Sequence, residues 1–203
     1  MSSEPLFMIA TAIFAITGVL AVAGRGMDAL SLVIIGVVTA IGGGTLRDMM
    51  LGVPVFWLAD VSYLYVSAGA AALTFLFIQR ARETERLLLY ADGIATAMFA
   101  VVAFGKTLSL GHPAAVAAVM GVITGIGGGL IRDVITGHET VLLRRELYIT
   151  PILAGAAAYF ACRDWTTLPT ATIAIIAMLV GASIRCAAIW RGWTFPAWLS
   201  YRA

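Results

Sequence analysis

The chain has 203 residues, of which 61% are hydrophobic and 12% are charged, and its mean hydropathy is +0.97. Soluble globular domains average about 45–50% apolar and about 25% charged residues, so this composition excludes a soluble protein. The formal net charge of +2 is uninformative by itself, and we expect no nucleic-acid partner.

Seven apolar segments have about the 17–25 residues that a helix needs to cross a bilayer. They cover residues 5–24, 29–51, 61–79, 87–105, 113–136, 146–162 and 169–190. Little of the chain remains for a soluble domain. The sequence therefore predicts an all-α membrane protein of seven transmembrane helices, in a lipid bilayer, with its function inside the helix bundle.

The basic residues are divided unevenly between the two predicted sides of the membrane. Three fall on one side: Arg47, Lys106 and Arg163. Ten fall on the other: Arg25, Arg80, Arg82, Arg86, Arg132, Arg144, Arg145, Arg185, Arg191 and Arg202. Because positive residues stay in the cytoplasm, we expect the N-terminus outside and the C-terminus in the cytoplasm.

An internal repeat relates the two halves of the chain at an offset of 85 residues. IATAIFA at 9–15 aligns with IATAMFA at 94–100, and Tyr63 aligns with Tyr148, without a gap. Each copy holds three spans, so the second copy crosses the membrane in the opposite direction. We predict an inverted repeat of residues 1–84 and 85–166, followed by a seventh helix and tail at 167–203. Such repeats place a substrate or ion site near the midplane.

Each copy carries three consecutive glycines inside an apolar segment: Gly42, Gly43 and Gly44, then Gly127, Gly128 and Gly129. Each glycine costs about 0.8–1.0 kcal/mol in a helix interior relative to alanine. One interpretation is close packing of helices through small residues. Because three adjacent glycines spread around a helix, we favour a break or hinge whose freed carbonyls line an aqueous path and bind a cation.

An Arg-Asp pair follows each triplet: Arg47-Asp48 and Arg132-Asp133. A charge at the centre of a membrane helix costs about 2.5–3.5 kcal/mol on insertion scales and usually marks a functional path. One interpretation has each residue pair with another helix or snorkel to an interface. Their repetition in both halves favours the other, a role in the pore or its gate.

Four further polar residues are candidates for the pore. Asp92 aligns with Phe7, so it either caps its helix or lines the cytoplasmic mouth. Lys106, the single lysine, either sets a voltage or charge barrier at the external end or snorkels there. Thr39 and Thr124 recur in register, and their hydroxyls either face an ion or bond back to their own helix.

The sequence contains no phosphate-binding glycine loop, nucleophile elbow or paired catalytic acids. His112 and His138 have no neighbour at metal-ligand spacing. We therefore expect no enzyme, no metal site and no cofactor other than a permeant potassium or sodium ion.

The doubled motif GGG-x-x-RD-x-x-x-G, at 42–52 and 127–137, resembles the prokaryotic trimeric intracellular cation (TRIC) channels, and the resemblance covers essentially the whole chain. It implies a homotrimer in a bacterial or archaeal inner membrane, with a pore in each protomer lined by spans one, two, four and five. It also implies conduction of monovalent cations, potassium above all, with the glycine triplets as kinks near the constriction. The Lys-Glu-Val motif of the animal members is missing, so phosphoinositide regulation is not expected.

The same bacterial domain also resembles small-solute carriers such as glycine transporters. Inverted repeats with broken helices suit alternating access as well as a pore. A carrier for a zwitterion needs one group for the carboxylate and one for the amine, for example Arg132 with Asp92. A non-conducting scaffold would leave the doubled glycines and charges unexplained.

Overall fold

The computed structural model describes residues 4–78, 84–143 and 146–194. Its eight α-helices are α1 (Glu4–Ala21), α2 (Ala29–Met50), α3 (Phe56–Ala59), α4 (Ser62–Ile78), α5 (Thr84–Ser109), α6 (Ala114–Thr136), α7 (Ile149–Trp165) and α8 (Thr170–Arg191). A short 3-10 turn covers Val141–Leu143. Five arginines of the orientation argument lie outside the described residues: Arg80, Arg82, Arg144, Arg145 and Arg202.

The predicted all-α membrane fold is confirmed, with one long helix for each predicted span. The helix ends differ from the predicted ends by at most four residues. Among the described residues, α2, α5, α6 and α8 are long and apolar enough to cross a membrane by length and composition, and α1 and α4 are shorter apolar helices. The four-residue helix α3 was not predicted, because so short an element has no hydrophobic periodicity.

Large apolar side chains cover the outside of the bundle. Leu73, Phe77 and Leu179 are each exposed over more than half of their surface. A water-soluble protein rarely exposes large contiguous apolar patches. The exposed apolar side chains are therefore suited to contact with the lipid hydrocarbon of a membrane.

Helices α1, α2, α5 and α6 pack together at the centre of the protein. Helix α4 covers α1 and α2, while α7 and α8 pack against each other and against α5. The first helices of the two repeat units, α1 and α5, are in contact, and so are the second helices, α2 and α6. The division at residues 84 and 166 remains a prediction.

The glycine triplets lie where α2 crosses α6, and there the two backbones touch. A Cβ atom on Gly43 would lie 2.2 Å from the carbonyl oxygen of Thr124, and one on Gly128 would lie 2.3 Å from that of Thr39. Gly42 contacts Ile131 on the same pair of helices. Lower numbers in α2 meet higher numbers in α6, so the two helices run antiparallel, as an inverted repeat requires.

The predicted helix break at the glycines is wrong. Helices α2 and α6 remain helical through both triplets, so the triplets free no backbone carbonyls for a cation. Cβ atoms added to the three glycines of one triplet would point in different directions, but each would meet a neighbouring residue. Gly44 faces the ring of Phe56, and Gly129 faces Asp92. Close packing against several partners at once accounts for three adjacent glycines, and a hinge or pore role for them stays a prediction.

We expect Gly43→Ala to destabilise the protein by at least about 1–3 kcal/mol, the usual cost of overpacking, because the new methyl group meets a backbone oxygen that cannot rotate away. The measurement is the melting temperature in detergent, followed by size-exclusion chromatography.

The matched control is Gly69→Ala in α4, where a Cβ atom would meet nothing within 4 Å. This variant should melt at or above the wild-type temperature. Equal melting temperatures for the two variants would contradict the packing role.

Candidate functional site: two buried charge clusters

The first cluster, here called the Lys106 cluster, consists of Arg47, Asp48 and Lys106. Asp48 Oδ1 accepts hydrogen bonds from Arg47 Nε and from Lys106 Nζ, both at 2.7 Å. Its Oδ2 accepts one from the backbone N–H of Phe56 at 2.9 Å, at the start of α3. Arg47 and Asp48 are almost completely buried, while the side chain of Lys106 is 30% exposed. One carboxylate therefore joins α2, α3 and α5.

The second cluster, here called the Asp92 cluster, consists of Arg132, Asp133 and Asp92. Arg132 Nε donates to Asp133 Oδ1 at 2.8 Å, and Arg132 Nη1 donates to Asp92 Oδ1 at 2.9 Å. The same Nη1 lies 3.2 Å from the hydroxyl of Thr17 on α1. The Tyr148 hydroxyl donates to Asp92 Oδ2 at 2.9 Å. These bonds connect α5, α6, α1 and the residue that precedes α7.

A cavity of about 10 Å³ lies beside the Asp92 cluster. Its lining includes Asp133, Thr140 and Tyr148. This volume holds about one water molecule. The hydroxyl oxygen of Thr140 is buried there without a hydrogen-bond partner among the described residues. In this conformation the polar cavity beside the cluster is therefore too small for more than about one water molecule.

The seventh long helix reaches the Asp92 cluster through Arg185. The guanidinium carbon of Arg185 lies 5.1 Å from the ring centre of Tyr148, a distance typical of a cation–π contact. Its Nη2 donates to Glu146 Oε2 at 2.9 Å, and its Nη1 donates to the carbonyl of Leu147 at 3.1 Å. Arg185 thus holds the segment in front of α7 in the position from which Tyr148 bonds Asp92.

The two clusters lie on opposite sides of the glycine crossing and have opposite formal charges. The Lys106 cluster has two basic groups and one acid, and the Asp92 cluster has one basic group and two acids. Asp92 and Lys106 are 14 residues apart in α5, which corresponds to about 21 Å along a helix with a rise of about 1.5 Å per residue. Among these six residues, the two Arg-Asp pairs therefore differ in the charged residue that α5 adds to each.

A family model described as glycine transporter matches residues 5–79 and 89–164 of the chain. The two segments begin 84 residues and end 85 residues apart (89 − 5 and 164 − 79), close to the period of the repeat. The UPF0126 inner membrane protein YadS of Escherichia coli K12 is 37% identical over 186 residues, which cover 91% of this chain and 90% of YadS. A UPF0126 membrane protein of Vibrio cholerae is 43% identical over 150 residues, which cover 73% of this chain and 63% of that protein.

Solved structures of the same fold are also related in sequence. The TRIC trimeric intracellular cation channel orthologue from Rhodobacter sphaeroides superposes with a TM-score of 0.89 at 35% identity, covering 94% of this chain and 98% of that one. The chain belongs to the prokaryotic TRIC channel family. A second prokaryotic TRIC channel, solved in 0.5 M KCl, superposes with a TM-score of 0.86 at 26% identity, covering 94% of this chain and 96% of that one.

In this TRIC-family chain, the arginines of the two Arg-Asp pairs do not snorkel. Arg47 and Arg132 are each 1% exposed and pair with the aspartate that follows them. Neighbouring residues leave a helix in different directions, but an arginine is long enough to fold back onto the adjacent carboxylate. Whether these pairs line a pore or act as its gate stays a prediction.

The other candidates are placed as follows. Asp92 does not cap its helix, because it lies inside α5, where it is 1% exposed and bonded to Arg132 and Tyr148; its role at the cytoplasmic mouth stays a prediction. Lys106 reaches inward to Asp48 instead of only snorkelling. Thr39 and Thr124 donate to the carbonyls of Ile35 and Met120 in their own helices, both at 2.6 Å, and their role as pore hydroxyls stays a prediction.

Sequence reasoning missed Tyr148, Thr17 and Arg185 as members of the site. Two of them had a detectable signal: Tyr148 recurs with Tyr63 in the repeat, and Arg185 is a charge within an otherwise apolar segment. Thr17 had no such signal, because its contact with Arg132 spans 115 residues of sequence.

Within this TRIC-family chain, we expect Asp48→Ala to lower the free energy of unfolding by about 3–5 kcal/mol, the usual cost of removing one partner of a buried ion pair. The change leaves Arg47 buried without its carboxylate and removes the acceptor of the Phe56 N–H. Thermal unfolding in detergent measures the effect.

The control is Asp164→Ala, which removes an exposed carboxylate near the end of α7. Exposed substitutions usually stay within about 0.5 kcal/mol. If Asp48→Ala is as stable as this control, the Lys106 cluster does not stabilise the fold.

Proposed function

We propose that the protein is a channel for monovalent cations, potassium and sodium, with one pore per protomer between the inverted repeats. The observation that carries this proposal is the agreement of the fold with the Rhodobacter sphaeroides TRIC channel, at a TM-score of 0.89 and 35% identity over 98% of that chain. That protein is named as a cation channel, and near-complete coverage means that this chain has the corresponding parts.

The arrangement of charge supports a pore along the α2–α6 crossing. Asp48, Asp92 and Asp133 are buried carboxylates, and charges inside a membrane protein usually mark an ion path. Each is neutralised here by a basic side chain of the protein. A permeant cation at these carboxylates would replace part of that pairing.

The conformation described here is a closed one in this proposal. Helices α2 and α6 touch at the glycines, and the basic groups of both clusters occupy their carboxylates. Conduction therefore requires the charged side chains to separate on at least one side of the crossing. The Arg-Asp pairs then act as parts of the gate, and the glycines allow the helices to slide without side-chain obstruction.

A secondary transporter of a small solute such as glycine is the second candidate. It is favoured by the description of the family model that matches residues 5–79 and 89–164. In such a carrier Arg132 would bind the substrate carboxylate and Asp92 its ammonium group. The same two residues bond each other at 2.9 Å here, so a zwitterion would enter by replacing that contact.

The channel is proposed as a homotrimer in a bacterial inner membrane, with the N-terminus outside. The Rhodobacter sphaeroides channel is named as trimeric, and the E. coli relative YadS is named as an inner membrane protein. The distribution of arginines supports the orientation.

Flux from proteoliposomes separates the two candidates. With an imposed membrane potential, vesicles that contain the protein should release potassium rapidly and without counter-transport, because a channel needs no exchange partner. Protein-free vesicles of the same lipids are the control. Saturable uptake of labelled glycine with negligible potassium current would overturn the channel proposal in favour of the carrier.

Native mass spectrometry in mild detergent tests the assembly. We expect a complex with the mass of three chains of 21.4 kDa each. A single-chain or two-chain mass that persists across several detergents and in lipid nanodiscs would contradict the trimer.

A further inference from the structure

The aligned tyrosines of the two repeat units, Tyr63 and Tyr148, make different contacts. Tyr63 packs against the rings of Phe7 and Phe56, with ring centres 5.0 Å and 4.9 Å away. Tyr148 instead donates its hydroxyl to Asp92, the residue that aligns with Phe7, at 2.9 Å. A hydrogen bond tolerates much less change in distance and angle than a contact between two rings does. The bond to Asp92 therefore requires that Tyr148 be held closely in place.

Arg185 on α8 holds Tyr148 in this place. Its guanidinium carbon lies 5.1 Å from the ring centre of Tyr148, while Nη1 donates to the carbonyl of Leu147 and Nη2 donates to Glu146 Oε2. One guanidinium thus contacts all three residues in front of α7. Arg185 is itself 2% exposed, and its Cγ fills the space beside Gly93, where a Cβ atom would lie 2.5 Å away. Packing and these three contacts together fix the position of the guanidinium.

A backbone contact ties the same segment to the end of α8. Thr194, which follows the helix, forms an isolated antiparallel β-bridge with Glu146. The segment is therefore held at two points, by Arg185 within α8 and by the chain that follows α8. In sequence, α8 lies beyond the predicted inverted repeat, so the duplication does not impose this arrangement. The contact that holds Tyr148 is an addition to the duplicated scaffold.

We propose that Arg185 is a positioning residue for the gate, and that it sets how often the channel opens without lying on the path of the ions. This inference rests on the proposed channel function, in which Arg132 and Asp92 separate when the pore opens. Arg132 bonds one carboxylate oxygen of Asp92, and Tyr148 bonds the other. By maintaining the bond from Tyr148, Arg185 keeps Asp92 opposite Arg132. Arg185 therefore stabilises the closed state at the Asp92 cluster.

Single-channel recording in planar bilayers separates the ratio of open to closed time from the conductance of the open channel. We expect Arg185→Gln to raise this ratio about tenfold, the factor for about one hydrogen bond to a charged group. The conductance should stay at the wild-type value, because Arg185 contacts α5 and residues 146–148, outside the α2–α6 crossing. A purely structural role would instead reduce the number of active channels and leave the open-to-closed ratio of each unchanged.

Tyr148→Phe tests the route by which Arg185 acts. This change keeps the ring that Arg185 faces and removes the hydroxyl that donates to Asp92, so it should also raise the open-to-closed ratio about tenfold. Adding Arg185→Gln to Tyr148→Phe should then raise the ratio little further, because the bond that Arg185 maintains is already gone. Two independent effects would instead multiply to about a hundredfold.

Arg191→Gln is the matched control, since it makes the same chemical change on the same helix at an exposed arginine that contacts the rings of Trp190 and Trp193. It should keep the wild-type ratio. If Arg185→Gln does not fold, Glu146→Gln tests the inference, because it removes the partly exposed ion-pair partner of Arg185. This variant should raise the ratio by about two- to fivefold, as expected for a partly exposed ion pair.

An unchanged or lowered ratio in the folded Arg185→Gln variant, or in Glu146→Gln where that variant does not fold, would overturn the inference while the channel function stands. A changed single-channel conductance, or effects of Arg185→Gln and Tyr148→Phe that multiply in full, would overturn it equally. The absence of any potassium current in the wild type, with glycine uptake intact, would overturn the proposed function and this inference with it.

Discussion

The contact on which the rest of the structure depends is the meeting of two helix backbones at the glycine triplets of α2 and α6. Gly43 faces the carbonyl of Thr124, and Gly128 faces that of Thr39, at distances that leave no room for a Cβ atom. In a membrane, helices gain no hydrophobic advantage from pairing, so close packing of small residues is a main source of their association. Because α2 and α6 run antiparallel, their two Arg-Asp pairs lie on opposite sides of this crossing. The crossing also determines which helices surround each pair.

Burial then decides how the charges are arranged. Low-dielectric surroundings make an isolated charge costly, so each charge on these helices is met by an opposite charge or a polar group. Arg47 and Arg132 are each partly compensated by an ion pair with the aspartate that follows them. Helix α5 supplies a further charged partner to each pair: Asp92 bonds Arg132, and Lys106 bonds Asp48. Helix α5 is therefore the element that forms an ion pair with both clusters.

The duplication explains the parts that the two clusters share, and the divergence of the two copies explains how the clusters differ. The matched bonds of Thr39 and Thr124 and the matched Arg-Asp pairs follow from the repeat. Where the first copy has Phe7 and Ala21, the second has Asp92 and Lys106, and this difference gives the two clusters opposite formal charges. Helix α8 adds Arg185 to one end only. A symmetric scaffold thus has an axis with two distinguishable directions.

The amino-acid sequence by itself determined the membrane class, the seven spans and the inverted repeat, because hydropathy and a gapless 85-residue offset can both be read from the order of residues without knowing their contacts. It also marked most members of the site, since a charge or a glycine triplet is conspicuous in an apolar segment. Only the tertiary structure decided that the glycines pack instead of breaking their helices, and that Asp92 belongs with Arg132 and Lys106 with Asp48. Those outcomes depend on which neighbour stands opposite each residue, and contacts between residues 40 or more positions apart leave no periodic trace in the sequence.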